Sequence, residues 1–167
     1  MDAIQQITDE LIQQSITNAV QAVSKSMLRR DTTLVGRIAF AHGGADHTFQ
    51  LISNVGFAGD LNGVVHLCMN EDYALDTVGT ILGMSEDEVK FHGNEVIRDA
   101  MGEVTNMTVG GFKNALCDIG FPCMLTLPTI IRGEKLSVAT LKGSRRLTYE
   151  FRSNNRPFFA DIQLKID

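Results

Sequence analysis

The segment Asn94 to Pro128, NEVIRDAMGEVTNMTVGGFKNALCDIGFPCMLTLP, constrains the fold more than any other part of the chain. Its apolar residues recur at helical spacing, which predicts one long amphipathic helix, then a turn and the start of a strand. At about 100° per residue, Val96, Ile97, Ala100, Met101, Val104, Met107, Thr108 and Phe112 share one broad arc, the expected core face. Asp99, Glu103 and Asn106 stand at i, i+4 and i+7, within roughly 60° of one another on a different arc. A carboxylate and a carboxamide one turn apart are thus presented outward together on a rigid element. A polar triplet at this spacing is in most helices only a solvated face. The glycines around it favour a site, because mid-helix glycine costs about 1 kcal/mol relative to alanine. Gly102 and Gly110 lie near the polar arc, where they leave room for another backbone, whereas Gly111 lies on the core arc and suits close packing.

A chain of 167 residues buries a substantial core as one domain, 1–167. Hydrophobic residues at 44% and charged residues at 21% are ordinary for a globular protein. The net charge of −5, with no Lys/Arg cluster beyond a pair, argues against nucleic acid as a partner. The expectation is no signal peptide and no membrane span, since no apolar run approaches ~20 residues. Cys68, Cys117 and Cys123 are odd in number and form no C-x-x-C pair, so reduced thiols in a cytoplasm are expected.

Taken in order, residues 3–28 predict a helix carrying Ile4, Ile7, Leu11, Ile12, Ile16, Val20, Val23 and Met27, with Arg29 and Arg30 at the negative end of its dipole. Leu34 to Ala41 and Thr48 to Ile52 predict a hairpin about the turn 42–46, with His42 and His47 as turn histidines rather than metal ligands. Val55 to Phe57 and Val64 to Met69 form a second meander about Gly59 to Gly63, where Asn62-Gly63 is a strong turn signal. Asn70 is expected to cap a helix ending at Gly83, and Ser85 with Glu88 reads as a capping box. His92-Gly93 breaks the chain before the long helix. Beyond Gly120 come strands at Leu125 to Ile131, Ser137 to Leu141, Leu147 to Arg152 and Phe158 to Ile166, with turns at Arg132 to Glu134, Lys142 to Ser144 and Ser153 to Pro157. Helix, strands, helices, strands describes an α/β (α+β) sandwich, helices packed on one face of a largely antiparallel sheet.

The run Asp99-x3-Glu103-x2-Asn106, followed by Met107-Thr108 and later by Pro128-Thr129-Ile130-Ile131, resembles the CheC/CheX/FliY family of chemotaxis phosphatases. That family carries (Asp or Ser)-x3-Glu-x2-Asn and a proline further on. The spacing from Asn106 to Pro128 is one residue shorter than the family pattern. The chain is most similar to the CheX branch, with one such signature rather than two, since Glu71 is followed three places on by Ala74 instead of asparagine. The resemblance covers most of the chain. It implies hydrolysis of the aspartyl phosphate on a receiver-domain protein such as CheY. Asn106 would position the attacking water, and Glu103 would pair with the receiver's phosphate-binding lysine. Asp99, Gly102, Gly110 and Pro128 would serve partner binding. No cofactor is expected on this chain; the receiver would supply Mg²⁺. A homodimer pairing through the sheets is also implied, and the apolar strands from Leu147 to Ile166 suggest an open edge in need of a partner.

Other readings compete. A non-catalytic adaptor would bind a receiver or another signalling protein through the same helix and would keep the same residues. A structural part of the flagellar switch would be expected to carry an assembly domain. A small-molecule enzyme lacks a phosphate-cradling glycine loop, a nucleophile paired with a base, or a metal cluster in the sequence.

Overall fold

The computed structural model describes residues 6–39 and 47–165. Ile4, His42 and Ile166 therefore lie outside the described residues. Helix α1 spans Asp9–Val23 and is capped by the Thr8 side chain, which accepts from the backbone N–H of Leu11. The expected helix continues as one π turn, Ser24–Leu28, and stops at Arg29 in the left-handed region. Three strands follow: β1 Thr32–Ile38, β2 Phe49–Gly59 and β3 Asn62–Met69. Then come helices α2 Glu71–Leu82, α3 Glu86–His92 and α4 Asn94–Asp118. The chain ends in β4 Cys123–Leu125, β5 Thr129–Leu136, β6 Arg145–Ser153 and β7 Arg156–Lys165.

Among the described residues the strands form one antiparallel sheet in the order β1-β6-β7-β3-β2-β4, with β5 also paired to β2. Alternate residues of the central strands point to the helices: Leu51, Val55 and Phe57; Val65, Leu67 and Met69; Leu147, Tyr149 and Phe151; Phe158, Ala160, Ile162 and Leu164. They meet Ile12, Ile16, Val20 and Val23 of α1 and Ile97, Met101, Val104 and Phe112 of α4 in one core. The opposite face carries a smaller cluster of Phe49, Ile52 and Cys68, covered by Leu136, Val138 and Phe159. The expected sandwich, with helices on one face, is what forms.

Several local expectations are corrected. β1 pairs with β6, not with β2, because both sides of β2 are taken by β3 and by β4 with β5. The two short strands expected at 48–52 and 55–57 are one long strand, β2. The turn expected at Arg132 to Glu134 stays inside β5 as an irregularity: Leu51 faces Arg132 while Phe49 faces Leu136, so the extra residues bulge out opposite Gln50. Residues 137–141 form no strand. They lie over the helix-free face, where the buried Gln163 side chain donates to the Ala139 carbonyl and accepts from the Leu141 N–H. β6 and β7 are interior strands, so the open edge proposed for Leu147 to Ile166 does not exist there. Asn70 sits at the start of α2 but makes no side-chain cap; Gln50 accepts from the Glu71 N–H instead. Arg30 reaches across to Asp76 of α2 at 2.8 Å rather than serving its own helix end.

Other expectations hold. Gly83 ends α2 at φ 67°, Ser85 and Glu88 form both bonds of the capping box, and Gly93 at φ 81° separates α3 from α4. The turn expected over Ser153 to Pro157 narrows to two residues, Asn154 and Asn155, both at positive φ as a type I′ hairpin requires, with Ser153 already paired to Arg156. The turn expected at 42–46 lies outside the described residues; His47, on its far side, packs its ring 5.7 Å from Phe159. The three thiols are free, and no helix among the described residues is long and apolar enough to cross a membrane.

Candidate docking groove on the long helix

Helix α4 is held from behind over most of its length. Ile97, Met101, Val104, Thr108, Phe112 and Leu116 are buried, and Phe112 meets Phe57 edge-on at 6.1 Å. Thr105 is also buried; its hydroxyl donates to the Met101 carbonyl at 2.7 Å and lies 2.5 Å from the Ser53 hydroxyl on β2. Gly111 packs against α1, where a side-chain carbon would come within 3.2 Å of the Ala19 Cβ, so a larger residue would require α1 to give by a few tenths of an ångström. At the start of the helix, Asn94 accepts from Arg132 at 2.6 Å, and Arg132 also pairs with Glu71 at 3.1 Å. These contacts fix the rotation of α4 about its axis, and hence what its free face presents.

That free face borders a groove of about 530 Å³ lined by Arg98, Asp99, Gly102, Glu103 and Asn106 on one side and Leu127 to Ile130 on the other. The second wall is pinned to the sheet by Thr126: its N–H donates to the Gly56 carbonyl at 2.8 Å and its hydroxyl accepts from the Gly56 N–H at 2.9 Å. Gly102 forms the seam between the walls. A Cβ there would rest 3.7 Å from Pro128 Cγ and Ile130 Cδ1, an ordinary contact. Asp99, Glu103 and Asn106 are exposed, and none of them makes a hydrogen bond or ion pair within the described residues. An exposed carboxylate and carboxamide with unused hydrogen-bonding capacity, side by side on an anchored helix, are suited to engage a second molecule.

Of the residues singled out in the sequence, Asp99, Gly102, Glu103, Asn106 and Pro128 line this groove. Gly110 does not. It lies further along the same face, with nothing within 4 Å of the position a Cβ would take. Met107, placed on the core face from its spacing, is 40% exposed, and Val96 is only half-buried, while Thr105 and Val109 are buried instead. α4 is covered by the sheet and β5 on one side and by α1 on the other. Its buried arc is therefore wider than the apolar stripe and rotated toward Thr105 and Val109. The groove also contains residues that the spacing argument passed over: Arg98 and Leu127, the latter 87% exposed. Arg98 is about 100° around the helix from Asp99, and Leu127, expected within a strand over Leu125 to Ile131, lies instead in the loop between β4 and β5. Among the described residues no group of three or more His, Cys, Asp or Glu side chains is placed to hold a metal ion.

No curated protein matches this sequence significantly. Among solved structures, a CheC-like superfamily protein from Shewanella sp. PV-4 shares the fold at a TM-score of 0.82 and 19% identity, over 95% of this chain and 99% of that one. CheX from Desulfovibrio desulfuricans matches at 0.79 and 22%, over 92% and 99% of the two chains. The CheX of a CheX–CheY–BeF3–Mg²⁺ complex from Borrelia burgdorferi matches at 0.72 and 24%, over 92% and 97%. The profile of the family described as chemotaxis phosphatase CheX matches residues 51–152, a stretch that runs from the start of β2 through the whole of α4 and its groove to the end of β6, and the chain belongs to that family.

Proposed function

We propose that this protein hydrolyses the aspartyl phosphate of a CheY-like receiver domain, and that α4 is the element that enters the receiver's phosphorylation site. The observation that supports this most is the pairing of Glu103 and Asn106, exposed and uncommitted, in one groove on a helix anchored along its opposite face. The Borrelia burgdorferi relative in complex with CheY gives the same direction from a chain of the same fold.

The chemistry asked of this chain is small. An acyl phosphate is already activated, and the receiver holds the Mg²⁺ that offsets charge on the transferring group. A water must be held in line with the scissile bond. Its oxygen bonds to phosphorus as the bond from phosphorus to the aspartyl oxygen breaks; the carboxylate leaves and the phosphate carries off the water's protons. A carboxamide both donates to and accepts from such a water and brings no charge against the phosphoryl oxygens. Asn106 takes that role. Glu103, one turn back, pairs with the receiver's lysine in a charge-assisted contact that sets the register of the helix. Asp99, Gly102, Gly110 and Pro128 complete the docking face.

The direct test is phosphate release from phosphorylated receivers of the same organism, with and without this protein. Accelerated release with no phosphate left on this chain is the expected result, and a phosphorylated form of this chain would overturn the mechanism. Chelating Mg²⁺ should end turnover. Glu103→Ala should weaken receiver binding and lower activity together, with an unchanged thermal melt, because the side chain is exposed and makes no hydrogen bond or ion pair among the described residues. Loss of turnover with wild-type affinity in Glu103→Ala would remove Glu103 from docking.

A further inference from the structure

We infer that Arg98 is the docking residue that makes this groove acceptable to an acidic partner surface, a role that rests on the receiver reading above. Arg98, Gly102 and Asn106 follow one another at i, i+4 and i+8 along the same wall. At 1.5 Å per residue Arg98 stands roughly 12 Å up the helix from Asn106. It therefore lies too far to touch a phosphoryl group held at Asn106, and faces whatever surface surrounds that group.

Its surroundings give it a reason to be there. Asp99 and Glu103 are the other charged residues of the groove, both carboxylates, and the whole chain carries a net charge of −5. The partner site is itself anionic, a phosphoryl group on a carboxylate. Two anionic faces repel as they approach, which slows encounter and penalises docking. Arg98 is the cation within the groove, and its guanidinium is uncommitted. Arg30, Arg37, Arg132, Arg145 and Arg156 are each tied to a carboxylate, whereas Arg98 makes no hydrogen bond or ion pair within the described residues. An exposed, uncommitted positive charge at this distance from the reacting groups fits a carboxylate on the receiver's rim.

The test is a binding titration against the receiver charged with beryllofluoride and Mg²⁺, at low and high ionic strength. Arg98→Glu should raise Kd about tenfold or more at low salt, and the gap from wild type should close as salt is raised. Arg98→Lys, which keeps the charge, should recover most of the affinity, and in turnover assays the loss in Arg98→Glu should fall on KM. A structural role would show neither the salt dependence nor the rescue. If wild-type protein does not bind the charged receiver, the receiver reading itself fails and this role with it. If wild-type binding and Asn106-dependent turnover are intact but Arg98→Glu binds within twofold of wild type at low salt, the role of Arg98 alone is overturned.

Discussion

Replacing Asn106 by alanine should lower the turnover of receiver dephosphorylation on the order of 10²-fold or more while leaving receiver affinity close to wild type. The amide would act on the attacking water, and that water is best held only as the bond to phosphorus forms. Loss of such a group falls on the transition state rather than on the docked complex, and removal of comparable polar groups elsewhere costs about 10²- to 10³-fold. The fold should not notice the change, since Asn106 is exposed and bonds to no described residue. Steady-state kinetics, a binding titration and a thermal melt on the one variant separate the possibilities. A variant that keeps near-wild-type turnover would leave α4 as a docking element only, and the adaptor reading would take over.

This prediction was reachable from sequence because a helix reports its own faces. Asp99, Glu103 and Asn106 have fixed angular positions whatever the helix packs against, so their grouping in one groove follows from spacing. The far wall follows no such rule. Leu127 belongs to a loop held by Thr126 on Gly56, some seventy residues earlier in the chain, and only tertiary pairing brings it opposite α4. Met107 fails for the converse reason: hydrophobicity named it core, but α1 and β5 cover the other flanks of the helix. The sheet divides in the same way. Local signals such as the Ser85–Glu88 box, Gly83, Gly93 and the Asn154-Asn155 turn sit where expected. Pairing partners were not legible, because β1 is as compatible with β2 as with β6 until β3, β4 and β5 have occupied β2. The motif was legible for its chemistry; Arg98 carries no motif and emerges only as a lining residue of the assembled groove.

The largest stability effect is expected far from the groove, at Asp161→Ala. Asp161 lies on the helix-free face of β7, 1% exposed, directly opposite Thr148 of β6 and His66 of β3. One carboxylate oxygen accepts from Arg146 Nε at 2.7 Å and from the Thr148 hydroxyl at 2.6 Å. The other accepts from Gln163 Nε2 at 3.2 Å and stands 3.4 Å from His66 Nδ1, long for a hydrogen bond but close for an ion pair. Burial alone pushes this carboxyl up. The contacts from His66, Thr148 and Arg146, with the charge of Arg146, outweigh it and hold the group below the usual carboxylate range. Alanine deprives the Arg146 side chain, itself 9% exposed, of this carboxylate and strips an acceptor from the Thr148 hydroxyl. Removing one partner of a buried pair costs about 3–5 kcal/mol. The expected result is a lower denaturation midpoint with an unchanged slope, and retained groove chemistry in whatever fraction is folded. The pH dependence has a definite sign. A carboxyl with a lowered folded pKa stabilises the protein above the unfolded value of about 3.9, and that stability drains as pH falls through the folded value. Wild type should therefore lose stability below about pH 4 more steeply than Asp161→Asn, which has no proton to take up there. Equal acid sensitivity in the two proteins, or a cost below about 1 kcal/mol for Asp161→Ala, would mean that the row from Thr148 through Asp161 to His66 does not hold the sheet as its geometry requires.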